Sequence, residues 1–254
     1  MKLGSSKNAV RESMQFPLRI ARFFALLLLP AIGLGVADAA GGQAGDPALT
    51  ARADRAAHMR ARVAEHLATR APRQQKGSPT TYTVDRIDDD SSPSAQLCTA
   101  ALNDCTLRGA LLGANAFSSD DFILFDIPGS GPHVIAIDGA SFPLPMIDNA
   151  VTINGYSQAG AVQNTDPVAT NALLQIVIDG AGLAVIGPNV LISGLVIQNA
   201  AITQHNGAGL YVNAAGSGRI TGSFIGTDAS GNAVASNCDG VWLDRVGTTS
   251  GVFE

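Results

Sequence analysis

The stretch Ile192-Ser193-Gly194-Leu195-Val196-Ile197 recurs twice in the last third of the chain. Its later copies are Ile220-Thr221-Gly222-Ser223-Phe224-Ile225 and Thr249-Ser250-Gly251-Val252-Phe253, so the shared glycine returns at nearly constant intervals. Self-similarity at a fixed period of this size is typical of chains that build one structural unit per repeat. The stretch therefore predicts a repeat architecture made of short β-strands.

A second glycine series is interleaved with the first. It reads Gly182-Leu183-Ala184-Val185, Gly209-Leu210-Tyr211-Val212 and Gly240-Val241-Trp242-Leu243, and its period is close to that of the first series. Two strand-like segments that recur in step are expected when each repeat winds one coil of a solenoid. The sequence thus predicts an all-β fold, a right-handed parallel β-helix over residues 121–254, with a polar loop projecting at residues 156–171. The final coil stops part-way, so we expect an incomplete β-helix whose open end allows end-to-end self-association.

Charge divides the chain into two parts. Residues 1–80 carry 12 Lys and Arg against 5 acids, whereas residues 81–254 carry 4 Arg, no Lys and 16 acids, which gives the overall net charge of −5. The acidic part has no basic patch to neutralise phosphates, which argues against nucleic-acid binding. A polyanionic glycan would also be repelled unless a cation bridged it, so Ca²⁺ is the one cofactor left open.

The N-terminus predicts export. Arginines precede the apolar run 23–36, and Ala37-Asp38-Ala39 supplies a small-x-small cleavage site, so residues 1–39 are interpreted as a signal peptide. The alternative is a membrane anchor, but the run is shorter than the roughly 20 residues that a span needs. We therefore expect no stable transmembrane segment after cleavage.

Residues 40–80 are interpreted as a linker that is helical in part. Asp46 and Pro47 are a typical helix start, with the acid as N-cap. Arg60 interrupts an otherwise apolar face, so this helix could be a solvated spacer, or its basic charge could lean on the acidic domain or on a membrane surface. The apolar positions are Leu49, Ala53, Ala56, Val63 and Leu67.

Residues 81–120 are expected to form a strand and a short capping helix. In an exported protein Cys98 and Cys105 are close enough in sequence to form a disulfide, which leaves Cys238 either as an inert buried side chain or as an exposed thiol. Asp104 is predicted to be the N-cap of a helix that runs to about residue 114 and is closed by Asn115 in a left-handed conformation. Its apolar face would cover the open end of the first coil, with these residues: Leu107, Ala110, Leu111 and Ala114.

The run Cys105-Thr106-Leu107-Arg108-Gly109-Ala110-Leu111 resembles the signature of the CSLREA-type domain of bacterial surface proteins. Cys105, Leu107 and Arg108 match that signature, whereas Gly109 replaces its glutamate. The region that follows also looks like the β-helix that often accompanies this domain. The resemblance implies a β-helix of the pectate-lyase-like superfamily in an exported or cell-envelope protein, and it implies no defined reaction.

Candidate chemistry is sparse. Asp239, Asp244 and Arg245 are weak catalytic candidates, because a lyase or hydrolase on this fold needs carboxylates and a basic residue. Trp242 and Tyr211 are candidate ligand-facing aromatics. The competing interpretation is a solvated turn beside a wall aromatic. The spacing of Cys and His residues predicts no metal site.

These observations favour an exported, noncatalytic β-helix protein of the cell surface or medium, which acts as an adhesin-like scaffold for glycans or other surface proteins. It could be a fragment of a longer protein. The alternative is a carbohydrate-active enzyme, either a polysaccharide lyase, a glycoside hydrolase or an epimerase. A cluster of acids with Lys or Arg on one wall would favour the enzyme, but in this sequence such residues are scattered.

Overall fold

The structure is a computed structural model, and it describes residues 46–70, 78–137, 143–201 and 207–244. The signal-peptide assignment, Arg245 and the final coil lie outside the described residues. The fold is mostly β. Its elements are α1 (Pro47–Thr69), β1 (Thr81–Val84), α2 (Leu107–Ala116), β2 (Asp121–Phe125), β3 (His133–Ala136), β4 (Val151–Asn154), β5 (Ile176–Asp179), β6 (Leu183–Val185), β7 (Val190–Ser193), β8 (Leu195–Gln198), β9 (Ala208–Asn213), β10 (Gly218–Thr221), β11 (Phe224–Ile225) and β12 (Asp239–Asp244).

The strands form three sheets, and the strand pairs within them are parallel. The strand orders are β1-β2-β4-β7-β10, β11-β8-β5-β3 and β12-β9-β6. From β4 onward the chain visits the five-stranded, the four-stranded and the three-stranded sheet in turn, and it does so three times. Each strand therefore pairs with the strand that lies one repeat away in sequence.

The glycine repeats match this pairing. Leu183, Leu210 and Val241 each follow the glycine of the second series, and Leu183 pairs with Leu210, which pairs in turn with Val241. The first series marks a corner, because Gly194 is the single residue between β7 and β8 and has a left-handed φ of 70°. The repeat periods thus predict the sheet register.

The core lies between the sheets, in columns of stacked apolar side chains. Ile123, Ile153 and Ile192 are neighbours across β2, β4 and β7, and each is at most 1% exposed. One buried cluster contains residues of all three sheets. β-branched side chains suit these positions because they pack well on a pleated surface. The polar segment 156–171 contributes no sheet strand, and its Val162 forms an isolated antiparallel bridge with Leu173, just after the segment.

Helix α2 packs on β1 and β2, with Leu107 and Leu111 buried in the core cluster. Arg108 is buried beside them and donates to Asp89 through two nitrogens, at 2.8 and 2.6 Å. The prediction of Asp104 as N-cap is wrong. Thr106 caps the helix by accepting from the Gly109 N–H, whereas Asp104 accepts from Thr99 and orders the preceding turn.

The predicted end of α2 also differs from the structure. Asn115 stays inside the helix, and the C-cap is Phe117 in an extended conformation. The side chain of Asn115 donates to the carbonyl of Met146 and accepts from the N–H of Asp148. Tertiary hydrogen bonds therefore take this residue away from the left-handed turn that its type favours.

The Cys98–Cys105 disulfide is confirmed. It joins the segment that leads into α2 to the turn before it, where Gln96 and Cys105 also form an isolated antiparallel bridge. Cys238 is exposed, so the interpretation of this residue as a buried wall side chain is wrong. The Arg55 guanidinium donates to its sulfur at 2.6 Å.

Candidate functional site

In the part of the chain that the structure describes, the outer side of the five-stranded sheet carries a row of largely exposed side chains, which we call the open face. Parallel register places Thr81, Phe122, Thr152, Leu191 and Arg219 beside one another on β1, β2, β4, β7 and β10. Neighbouring strands lie about 4.8 Å apart, so the row is about 19 Å long. Thr152 is half-buried and the other four are exposed, and Phe122 has 41% of its surface accessible.

A second row runs along the same side, two residues further along each strand. Thr83 pairs with Leu124, and Asn154 pairs with Ser193, which pairs with Thr221. The open face thus combines hydroxyl and amide groups with an aromatic ring, aliphatic side chains and a guanidinium. Hydroxyls and amides both donate and accept hydrogen bonds.

A hollow of about 240 Å³ lies at the middle of the first row, where β2, β4 and β7 start. The exposed Asp120 and Asn189 and the side chain of Phe122 line it. The carboxylate of Asp121 is buried beneath it and accepts from the Thr80 N–H at 2.8 Å and from the Ser119 hydroxyl at 2.7 Å. The buried carboxylate holds the backbone at the rim, and the side chains of Asp120, Asn189 and Phe122 are exposed around the hollow.

The three-stranded sheet is covered on its outer side by α1, and we call this side the covered face. Tyr211 and Trp242 are paired neighbours on β9 and β12, with ring centroids 6.4 Å apart in an edge-on arrangement. Three side chains of α1, namely Ala56, Met59 and Val63, are buried in the same cluster as the two rings. The two aromatics predicted to face a ligand lie instead under a helix, at 0% and 6% exposure.

Arginines of α1 contact the rings and carboxylates of the covered face. The guanidiniums of Arg52 and Arg55 lie 5.7 and 5.5 Å from the Trp242 ring centroid, a distance at which cation–π attraction acts. Arg55 also pairs with Asp239 at 3.3 Å. The structure describes two of the catalytic candidates, Asp239 and Asp244. Both form ion pairs with arginines of α1 and so hold the helix in place.

Asp244 is the centre of this contact. It is 4% exposed and accepts from two nitrogens of Arg60, at 2.7 and 3.0 Å. The Tyr211 hydroxyl donates to the same carboxylate at 3.1 Å. The hydrogen bond to Asp244 raises the pKa of Arg60, and burial, followed by the nearby Asp244 charge, raises the pKa of Tyr211. Arg60, which interrupts the apolar face of α1, is therefore the residue that anchors it.

A second anchor lies at the other end of α1. The buried carboxylate of Asp148 lies 3.0 Å from His66 Nε2 and 3.4 Å from Arg70 Nη1. One alternative left open by the sequence was that the basic charge of this helix lies against the acidic domain, and these ion pairs are such a contact. The residues that make it were not predicted. Asp46 does cap α1 as predicted, since its side chain accepts from the Ala48 N–H.

Raised tyrosine pKa values predict a loss of stability at alkaline pH. Burial is the first cause of the raised pKa at Tyr82, Tyr156 and Tyr211. In the unfolded chain these phenols ionise near pH 10, whereas the folded chain keeps their protons to higher pH. Their contribution to the free energy of unfolding is thus complete below about pH 10 and is lost as the pH rises through the folded pKa values.

Urea unfolding between about pH 8 and pH 11, followed together with phenolate absorbance, measures this loss. The variant Tyr211→Phe is expected to show a weaker pH dependence than the parent chain. If the phenols of the folded protein ionise at the same pH as those of the urea-unfolded protein, the prediction is contradicted.

Among the described residues, no group of three or more His, Cys, Asp or Glu side chains is arranged to hold a metal ion. No helix in the described part of the chain has the length and apolar character needed to cross a membrane.

Comparison of the chain with protein-family models, with curated proteins and with solved structures finds no significant match.

Proposed function

We propose that this chain is an exported, noncatalytic protein of a bacterial cell surface or medium whose open face binds glycans. The fold that we propose for it is the right-handed parallel β-helix. Three visits to three parallel sheets in a fixed order, with pairing one repeat away, support that fold. The disulfide supports export, because such bonds persist in oxidising compartments.

The row from Thr81 to Arg219 is the observation that carries the binding proposal. A sugar ring has an apolar face and a rim of hydroxyls, so it needs an apolar platform beside groups that donate and accept hydrogen bonds. Phe122 and Leu191 supply the platform. Thr152, Asn189 and Asp120 supply hydrogen-bonding groups at the adjoining hollow.

Binding is favoured over catalysis because of where the candidate acids lie. Asp239 and Asp244 are ion-paired with arginines of α1 and are not placed on either side of an accessible substrate groove. A glycosidase needs two carboxyl groups about 5 to 9.5 Å apart that both reach the sugar. The described residues therefore support a scaffold.

Phe122→Ala tests the proposal. The substitution is expected to weaken binding to a neutral oligosaccharide panel about tenfold, which corresponds to about 1.4 kcal/mol, because it removes the ring on which the sugar stacks. The matched control is Phe117→Ala, which removes a ring of similar exposure, 38%, at the end of α2. Titration calorimetry with and without Ca²⁺ measures both, and polyanionic glycans are expected to bind only with Ca²⁺.

Equal losses in the two variants, or no binding by the parent chain, would contradict the open-face proposal. Release of new sugar ends from the panel would favour the enzyme instead.

A further inference from the structure

Helix α1 is attached to the domain through its own small apolar cluster. Of its 23 residues only Ala56, Met59 and Val63 are buried, and they pack with the covered face in a cluster separate from the main core. Separation of the two clusters means that α1 can leave without exposing the side chains between the sheets. Few buried apolar contacts are the mark of an element that opens locally.

Ionic and cation–π contacts supply the specificity of this docking. Helix α1 carries four arginines against Asp54 and Glu65, and the carboxylates it meets on the sheet side are Asp148, Asp239 and Asp244. These carboxylates lie along the helix from its first half to its last turn. Opposite charges arranged in this way fix the register of a partner and suppress wrong ones.

The sheet side of the contact has groups already placed to receive guanidiniums. The Tyr211 hydroxyl donates to Asp244 Oδ2, and Arg60 donates to both oxygens of the same carboxylate. Trp242 rests edge-on against Tyr211 and offers its ring to two arginines at once. A tryptophan ring and a buried carboxylate side by side form a pair of guanidinium sites.

We propose that the covered face is a docking site for arginine-bearing amphipathic helices, that α1 is its resident occupant, and that a helix of a partner protein with the same pattern displaces α1. The pattern consists of arginines at the positions of Arg52, Arg55 and Arg60 around the small apolar stripe of Ala56, Met59 and Val63. This surface is distinct from the open face, and the inference does not depend on glycan binding.

Competition from α1 governs the affinity of the covered face for an outside helix. Because α1 belongs to the same chain, it rebinds the covered face at a high effective concentration. An outside helix can bind only those molecules in which α1 has left the face. Weakening α1 in the chain should therefore strengthen binding of the outside helix, whereas weakening the face should abolish it. A helix held too firmly to leave the face would give no such exchange.

Trp242 is the single tryptophan of the chain and reports docking directly. In the full-length chain, Arg60→Gln is expected to make Trp242 emission shift to the red and become accessible to acrylamide. The matched control is Arg62→Gln, which removes the same charge from α1 at a residue that makes no hydrogen bond or ion pair to the covered face within the described part of the chain. The probe is a labelled synthetic peptide of residues 46–70.

The peptide is expected to bind the Arg60→Gln chain at least tenfold more tightly than it binds the parent or the Arg62→Gln chain, and to restore the Trp242 emission. A peptide that itself carries Arg60→Gln, or a chain that combines Arg60→Gln with Asp244→Asn, should show no binding. Circular dichroism confirms that each variant is folded. The proposal is overturned if the folded Arg60→Gln chain keeps Trp242 shielded and does not bind the peptide, or if the Arg62→Gln chain binds it equally well.

Discussion

Gly182→Ala is expected to lower the free energy of unfolding by about 3 kcal/mol. A methyl group at this position would point at the backbone carbonyl of Ala208 and would lie 2.7 Å from that of Gly209. Both carbonyls belong to β9, which is held by pairing with β6 on one side and β12 on the other. Because a backbone held on both sides cannot move away, the added methyl must strain two strands at once.

Gly240→Ala is the matched control, since Gly240 occupies the same place in the third copy of the repeat. A methyl group there meets nothing within 4 Å. Its strand β12 is at the edge of the described sheet, so we expect a change within about 0.5 kcal/mol. Urea unfolding followed by circular dichroism measures both variants. Similar losses at the two positions would show that crowding by the next strand is not what requires glycine here.

The repeats made the strand pairing predictable because each strand pairs with the strand one repeat away. The length of the repeat therefore sets which residues lie opposite one another. A pattern that returns at Gly209 after its first copy at Gly182 places Leu183 against Leu210. Alternation within each strand then assigns the inward side, as at Ile153 and Ile192. The outward rows need the register first, which is why the open face emerges only when the strands are aligned.

The docking of α1 was not predictable from helix periodicity. Helix periodicity depends on the spacing of apolar residues, and Arg60 interrupts that spacing. The structure places Arg60 against a carboxylate 184 positions away in the chain, and a contact of that range leaves no local signal. The same fact explains why the sequence around Trp242 and Tyr211 predicts ligand-facing aromatics, since nothing near them in sequence indicates the helix that covers them.

Local turn chemistry also limited the prediction around α2. Asp104 and Thr106 are both good N-cap residues, and the choice between them depends on which other donors lie nearby. The N–H and the hydroxyl of Thr99 both donate to Asp104, so Thr106 is the residue that caps the helix. The spacing of the cysteines was the more reliable signal, because two cysteines seven positions apart are close enough to form a disulfide.

Removal of the disulfide, by Cys98→Ala with Cys105→Ala, is expected to cost about 2.5 kcal/mol of unfolding free energy, as estimated for closure of a loop with a sequence separation of seven. The bond holds the turn at residues 99–104 against the end of β1, where Asp85 accepts from the Cys105 N–H at 3.0 Å. Loss of the bond should therefore loosen the segment that positions α2 on the core. Urea unfolding of the double variant, and of the parent chain with and without reductant, measures the cost.

Cys238→Ser is the control, because Cys238 is exposed and forms no disulfide, and a serine keeps an atom that can accept from Arg55, so the free energy of unfolding should change by no more than about 0.5 kcal/mol. Hydrogen exchange locates the effect. Amides of the 96–106 segment and of α2 should exchange faster in the double variant, whereas those of β9 and β12, at the far sheet, should change least. If hydrogen exchange became faster by the same factor at all amides, the disulfide would stabilise the protein only through its effect on the unfolded chain. The capping role assigned to the 96–106 segment and α2 would then be wrong. A cap that the bond holds in place must loosen first where the bond is cut.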